Sequence, residues 1–227
     1  REMFVRFFCL GTTNSVFAIP CLQITDSAYV VHSEQILYRR GYEEFRRQSA
    51  ANPDFEFFKY LHCSGELDER NLAELRATLG PQATLMVDAN QAWTRDEAVR
   101  MVPRLERYEL AWLEEPLRAD RPWYEWQSLH AASTIPLAGG ENVSGDDGFE
   151  QAIVSGALSV VQPDLAKWGG FTGCLPVARR VLAAGLRFCP HYLGGGIGLL
   201  ASGHLLAAAG GDGLLEIDAN PNPLRTA

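Results

Sequence analysis

The stretch LMVDANQAW, residues 85–93, is a short apolar run that ends in an acid, Asp88, and then continues into a polar segment. The same design recurs five more times along the chain, each time as an apolar run followed by one polar group. These groups are Glu114 in LEEP, Glu141 in AGGEN, Asp164 in QPDLAKWGG, His191 in CPH and Glu216 in LLEID, at intervals of 26, 27, 23, 27 and 25 residues. Each interval has the length of one strand plus one helix, so the pattern predicts repeated β/α units.

Eight apolar runs are candidate strands. They lie at Val16–Cys21, Phe55–Lys59, Leu85–Val87, Ala111–Leu113, Ile135–Ala138, Leu158–Val161, Leu186–Cys189 and Leu214–Ile217. Helical patterns between them include Leu67–Leu79, stopped by Gly80-Pro81, a helix capped by Thr94, and a helix from Gly169-Gly170 to Gly185. Strands that alternate with helices are joined in parallel by right-handed crossovers. We therefore predict fold class α/β, with a (β/α)7β TIM-like barrel over residues 16–227.

An open doubly wound sheet is the structural alternative to a barrel. Such sheets usually carry a phosphate-binding glycine pattern after the first strand, and residues 21–26 contain no glycine. The sequence therefore favours the closed barrel.

The composition sets limits on the partners of this chain. Its 227 residues carry a formal net charge of −8, and an acidic surface repels nucleic acid and anionic lipid, so neither is a predicted partner. No run is long and apolar enough to predict a membrane span. Five irregularly spaced cysteines without a CxxC pair favour buried, reduced thiols in a cytoplasmic protein. Cys189 and Trp112 are interpreted as packing residues.

Three of the strand-end groups point to a metal. In a parallel barrel the carboxyl ends of all strands meet at one rim, where barrel enzymes place their active sites. Asp88, Glu114 and Glu141 follow consecutive predicted strands, and three clustered carboxylates are costly without a counter-ion. Carboxylate oxygens with positions left open for water or substrate suit Mg²⁺. The sequence therefore predicts a Mg²⁺ site, although a single acid of this kind would be read as an ordinary helix-start residue.

His191 and Asp164 follow adjacent predicted strands. A carboxylate beside an imidazole fixes its tautomer and raises its basicity, which produces a general base or acid. A histidine–acid pair by itself is more often structural, but beside a metal site the catalytic interpretation is favoured. Lys167, three residues after Asp164, is interpreted as a structural or helix-start lysine.

Taken together, these ordered motifs resemble the enolase superfamily and, within it, the mandelate racemase group. The resemblance covers roughly residues 55–225 and implies an enzyme that abstracts the proton α to a carboxylate through an enediolate intermediate. It implies that Asp88, Glu114 and Glu141 bind Mg²⁺, that Asp164 and His191 form a catalytic dyad, and that Glu216 hydrogen-bonds the intermediate. It also implies a homo-oligomer and an N-terminal α+β capping domain, of which we expect residues 1–15 to be a remnant.

The second predicted strand departs from the pattern of the family. The family usually has Lys-x-Lys there, and this chain has Lys59 followed by Tyr60 and Leu61. By local pattern Lys59 takes the first lysine position, and by its distance to Asp88 it takes the second. In the first case the lysine base is lost and one-base chemistry through His191 is expected. In the second case Lys59 is a catalytic residue on the opposite face of the substrate.

The sequence therefore leaves three functions open. Dehydration of a sugar acid is favoured, because one histidine can take the α-proton and return it to a departing hydroxyl. Racemisation or epimerisation of a 2-hydroxy acid is the alternative enzymatic function, and a catalytically inactive barrel that acts as a scaffold is the third. A zinc-dependent hydrolase is disfavoured, since no histidine occurs in residues 21–27.

Overall fold

The fold is that of a computed structural model, which describes residues 4–7, 27–32, 57–61, 69, 72–73, 76–77, 80–82, 84–218 and 223–226. Nine strands occur in these ranges. They are β1 (Phe4–Phe7), β2 (Ser27–His32), β3 (Phe57–Leu61), β4 (Thr84–Asp88), β5 (Leu110–Glu114), β6 (Leu137–Gly139), β7 (Val160–Val161), β8 (Arg187–Phe188) and β9 (Leu215–Asp218). Every pair of neighbouring strands is parallel, and the order is β8-β7-β6-β5-β4-β3-β2-β1-β9.

The two ends of this sheet meet. The guanidinium of Arg187 in β8 donates to the carbonyl oxygen of Asp212, just before β9, with Nη2 at 2.7 Å and Nε at 3.1 Å. The backbone N–H of Leu214 donates to Sγ of Cys189 at 3.3 Å. The described strands are therefore curled into a ring. The predicted α/β barrel is confirmed.

Helices pack outside the strands, and for six of them the structure describes continuous bounds. They are α1 (Arg95–Leu105), α2 (Trp123–Ala131), α3 (Asp146–Val154), α4 (Gly170–Ala183), α5 (Gly196–Ala209) and α6 (Pro223–Thr226), and a 3-10 turn covers Glu106–Tyr108. The predicted cap of α1 is present as a capping box, because Thr94 Oγ1 accepts from the N–H of Glu97 while the Glu97 carboxylate accepts from the N–H of Thr94. Leu72 of the helix predicted at Leu67–Leu79 is fully buried.

Most strand predictions agree with the structure to within two or three residues, but two strands were missed. Neither β1 nor β2 was predicted, because β1 is only four residues long and carries Arg6, and β2 begins and ends in polar residues. The predicted strand Val16–Cys21 lies outside the described residues. The predicted start of the barrel domain at residue 16 stays a prediction. Strand β1 lies before that residue and pairs with both β2 and β9.

The core has two layers. One fills the space between strands and helices and includes Leu85, Leu113, Phe149 and Val177, all fully buried. The other fills the inside of the barrel and consists of Met86, Trp112, Ala138, Val160, Cys189 and Leu214. Because alternate residues of a strand share a face, the residue two positions beyond each inner residue also lies on the inner face, nearer the carboxyl end. Cys189 is thus a core residue, as predicted.

Candidate active site

The inner faces of β4 and β5 bring two predicted metal ligands to the same height. Asp88 and Glu114 are the last residues of their strands and are register partners, two positions beyond Met86 and Trp112. Both are buried, with exposed fractions of 5% and 1%. Oδ1 of Asp88 accepts from the backbone N–H of Asn90 at 2.7 Å, which holds the turn after β4. Oε2 of Glu114 accepts from Nε1 of Trp112 at 3.0 Å, so Trp112 orients an acid as well as packing.

The third predicted ligand, Glu141, follows a glycine that the local path requires. Gly140 has φ +136°, and a Cβ there would lie 2.8 Å from the backbone nitrogen of Gln162. The chain after β6 therefore passes closely against the end of β7 and turns to present Glu141. The carboxylate of Glu141 accepts from Nδ2 of Asn142 at 3.0 Å and from Nζ of Lys167 at 3.2 Å.

Glu115 is a buried acid that the sequence interpretation did not include. It follows Glu114 directly, has an exposed fraction of 2%, and both of its carboxylate oxygens accept from Nδ2 of Asn142, at 3.0 and 2.9 Å. Burial, followed by the charges of Glu141 and Asp88, raises the pKa of Glu115 to about 8. Burial of the side chain, with the neighbouring carboxylates of Glu141 and Asp88 as a second cause, therefore disfavours the charged form of Glu115.

His191 and Asp164 are in contact. Nδ1 of His191 lies 2.7 Å from Oδ2 of Asp164, and both side chains are 4% exposed. The other oxygen of Asp164 accepts from the backbone N–H groups of Ala166 and Lys167. Burial opposes ionisation of Asp164, but the hydrogen bonds from His191 and the backbone outweigh it and lower the pKa of Asp164. The carboxylate is therefore fixed as an acceptor that orients the imidazole.

The second nitrogen of His191 faces the remaining acids. Nε2 lies 2.5 Å from Oε2 of Glu141 and 3.8 Å from Oε2 of Glu216. Burial alone would lower the pKa of His191, but the charge of Glu216 and the contacts with Asp164 and Glu141 raise it well above its usual value. The imidazole thus links the predicted dyad, a predicted metal ligand and Glu216 in one cluster.

Two lysines were considered from the sequence. Lys167, interpreted as structural, lies within the cluster through its contact with Glu141, and its side chain is 44% exposed. The sequence feature that could have indicated this contact is the position of Lys167, three residues after Asp164. Lys59 is placed by the register of β3, which sets it opposite Met86 and sets Leu61 opposite Asp88. The side chain of Lys59 lies outside the described residues.

The cluster fits a hard divalent cation by the chemistry of its donors. Carboxylate oxygens are the ligands that Mg²⁺ prefers, and Asp88 and Glu114 lie buried on neighbouring strand ends. In the ranges that the structure describes, no three His, Cys, Asp or Glu side chains converge as a ready-made metal-binding group. The Glu141 carboxylate contacts Asn142, Lys167 and His191 in this arrangement.

Comparison with known proteins settles the family. The model of the family described as enolase C-terminal domain-like matches residues 31–226. This chain belongs to that family. This chain is also similar to the D-galactarolactone cycloisomerase of Agrobacterium fabrum. The identity is 34% over 170 residues, which cover 71% of this chain and 45% of the cycloisomerase.

Solved structures agree with this assignment. A mandelate racemase/muconate lactonizing enzyme from Bordetella bronchiseptica superimposes with a TM-score of 0.79 at 50% identity, over 88% of this chain and 54% of that chain. An L-talarate dehydratase from Polaromonas, complexed with Mg and L-glucarate, superimposes with a TM-score of 0.68 at 29% identity, over 77% and 48% of the two chains. This chain thus spans about half the length of these relatives.

Other matches are of a different kind, to short segments of GTP-dependent phosphoenolpyruvate carboxykinases. Over 74 residues, 33% of this chain, the sequence is 57% identical to the GTP-dependent phosphoenolpyruvate carboxykinase of Pyrococcus horikoshii, of which it covers 11%. The acids and the histidine of the cluster run from Asp88 to Glu216, a span longer than 74 residues. The carboxykinase match therefore does not account for the cluster.

The described helices also bear on membrane association. Within the ranges described above, no helix combines the length and the apolar character needed to cross a bilayer.

The two cysteines for which the structure describes side chains, Cys174 and Cys189, are buried free thiols.

Proposed function

We propose that this chain is the catalytic barrel of a Mg²⁺-dependent lyase that dehydrates a sugar acid. The observation that carries the proposal is the position of His191, whose Nδ1 contacts Asp164 while its Nε2 faces Glu141 and Glu216. A histidine fixed by one carboxylate and aimed at a cluster of acids has the arrangement of a general acid–base at a metal site.

Asp88, Glu114 and Glu141 would hold the metal. When bound, Mg²⁺ neutralises the substrate carboxylate and stabilises the negative charge that develops as the α-proton leaves. Three carboxylates leave coordination positions for the substrate, which agrees with a small-molecule carboxylate as the partner of this site.

The residues of the chain supply the proton transfers. His191 takes the proton from the α-carbon, and the electron pair of the broken C–H bond forms a C–C double bond as the β-hydroxyl leaves. The same imidazole returns the proton to that hydroxyl, so that water departs and an enol remains, which becomes the 2-keto acid. Asp164 keeps Nδ1 protonated and directs Nε2 at the substrate. Glu216, as a carboxylic acid, donates a hydrogen bond to the oxygens on which charge develops.

Lys59 separates this proposal from a racemase or epimerase, which needs a second base on the opposite face of the substrate. The register sets Leu61, rather than Lys59, beside Asp88 at the strand end. This favours one-base chemistry, so we expect the Lys59→Met variant to lose much less activity than the His191→Asn variant. An equal loss in both variants would favour the two-base alternative.

The relatives support the same class of reaction. Their names include a cycloisomerase and a dehydratase that act on sugar acids or their lactones, and the dehydratase was solved with Mg and L-glucarate. A cytoplasmic location and a homo-oligomer remain predictions.

The test is proton exchange measured by NMR. The chain is incubated in D₂O with a panel of sugar acids and 2-hydroxy acids, with and without Mg²⁺, beside the His191→Asn variant. Mg²⁺-dependent loss of water from one acid, absent in the variant, is expected. Deuterium exchange without loss of water would replace dehydration by racemisation or epimerisation. Mg²⁺ binding with no exchange of any acid would favour the scaffold.

A further inference from the structure

Asn142 bridges two acids that belong to different parts of the site. Its Nδ2 lies 3.0 Å from Oε1 of Glu141 and 3.0 and 2.9 Å from the two oxygens of Glu115. An amide nitrogen has two N–H donors, so one hydrogen serves each carboxylate. The orientation of the Glu141 carboxylate is therefore coupled to the position of Glu115.

Glu115 is itself held firmly in place. Its backbone N–H donates to the carbonyl oxygen of Ala138 in β6, and its carbonyl oxygen accepts from the N–H of Gln91 in the turn after β4. Its φ of +38° turns the chain at the end of β5. The side chain, with an exposed fraction of 2%, is an anchored acceptor for the Asn142 amide.

We propose that Asn142 and Glu115 are positioning residues for the metal ligand Glu141. Asn142 holds Oε1 of Glu141, and Glu115 holds Asn142, so that the ligand is oriented before the metal arrives. The inference rests on the proposed function, because it assigns a purpose to the orientation of Glu141. Partners of this kind commonly change metal affinity 10- to 100-fold when they are removed.

Four variants of the chain test this role, with Mg²⁺ alone as the probe and isothermal titration calorimetry as the readout. Asn142→Leu and Glu115→Leu each break the bridge, and each is expected to weaken Mg²⁺ binding about 10-fold. The double variant is expected to be no weaker than the worse single variant, because both act through one contact. Glu115→Gln keeps a carbonyl acceptor for Asn142 and is expected to bind Mg²⁺ within about 3-fold of the parent.

A matched control separates positioning from folding. Gln127 is an exposed amide on α2 that donates to the carbonyl oxygen of Ser155 at 2.8 Å, away from the site. The Gln127→Leu variant loses a similar hydrogen bond and should leave Mg²⁺ affinity unchanged. Because Asn142 is also exposed, the metal-free unfolding temperatures of Asn142→Leu and Gln127→Leu should agree within a few degrees.

The outcomes distinguish this inference from the proposed function. A parent chain that binds Mg²⁺, with Asn142→Leu and Glu115→Leu binding it equally well, overturns the positioning role and leaves the proposed function standing. A parent chain that binds no Mg²⁺ overturns both. If Glu115→Leu does not fold, Asn142→Leu decides against its control Gln127→Leu, since Asn142→Leu removes both donors of the bridge and leaves Glu115 in place.

Discussion

The two sides of the site differ in the hydrogen-bond donors that orient their carboxylates. On the acid side, at the ends of β4 and β5, Asp88 and Glu114 accept hydrogen bonds from neutral N–H groups of Asn90 and Trp112. On the dyad side, Asp164 accepts from an imidazole that becomes cationic when it takes a proton. A neutral donor orients a carboxylate without placing a positive charge beside it, which is the kind of contact expected for ligands of a cation. The dyad side carries its own proton donor and is suited to proton transfer.

The difference between the two sides predicts that the His191→Asn variant shows the largest loss of catalytic rate. Asparagine keeps a polar group near Asp164 but cannot take a proton, so Mg²⁺-dependent exchange of the α-proton should fall by about 10²–10⁴-fold. The rate of deuterium incorporation measured by NMR checks this. A loss below about 10-fold would mean that His191 is not the base.

The second effect separates the two sides by metal affinity. Glu114→Gln removes a carboxylate from the acid side and should weaken Mg²⁺ binding at least about 100-fold, whereas Asp164→Asn should leave it within about 3-fold of the parent. Calorimetric titration measures both. Asp164→Asn should still lose most of the catalytic rate, because the imidazole is no longer held with Nδ1 protonated. Equal Mg²⁺ affinity in the two variants would contradict the assignment of metal binding to the acid side and proton transfer to the dyad side.

The third effect concerns the glycine that delivers Glu141. Gly140→Ala places a methyl group 2.8 Å from the backbone nitrogen of Gln162 at a φ of +136°, and should destabilise the fold by about 2–3 kcal/mol. Gly145→Ala is the control, since it shares a positive φ, +80°, but meets no atom within 4 Å. Urea unfolding should show a smaller loss for the control. Equal losses would mean that the close approach to β7 is unimportant.

The smallest effect tests the tryptophan beneath Glu114. Trp112→Phe keeps most of the packing inside the barrel but removes the N–H that donates to the Glu114 carboxylate, and should cost about 1.5 kcal/mol in the free energy of unfolding. Trp126→Phe is the matched control, because Nε1 of Trp126 is buried and has no hydrogen-bond partner among the described residues. Its replacement should be neutral or slightly stabilising. Urea unfolding of both variants decides the point.

The sequence predicted the parts of the site that follow from strand alternation. Asp88, Glu114, His191 and Glu216 each lie two positions beyond a residue inside the barrel, so their convergence follows from the spacing of the strands. Glu115 and Asn142 were missed because they depend on the turns after β5 and β6, where the backbone φ of Glu115 and Gly140 sets the direction. No periodic pattern encodes such turns.

The interpretation of Trp112 was correct in its packing and incomplete in its chemistry. A tryptophan in an apolar strand is predicted to be buried, and it is 2% exposed. Its N–H reaches Glu114 because residues two apart share the inner face of the strand. The sequence contained that relation, but a single aromatic residue beside an acid is too common a pattern to predict a hydrogen bond.

The closed ring of strands has a consequence for the order of folding. Most neighbouring strands are joined by one β/α unit, whereas β1 and β9 pair Phe4 with Leu215, more than 200 residues apart in sequence. Bringing such distant segments together costs more chain entropy than forming any local pair. We therefore expect the pairing of β1 with β9 to form late, after the sheet from β4 to β8 has formed, and the backbone amides of β1 to gain protection from hydrogen exchange after the amides of β4 and β5.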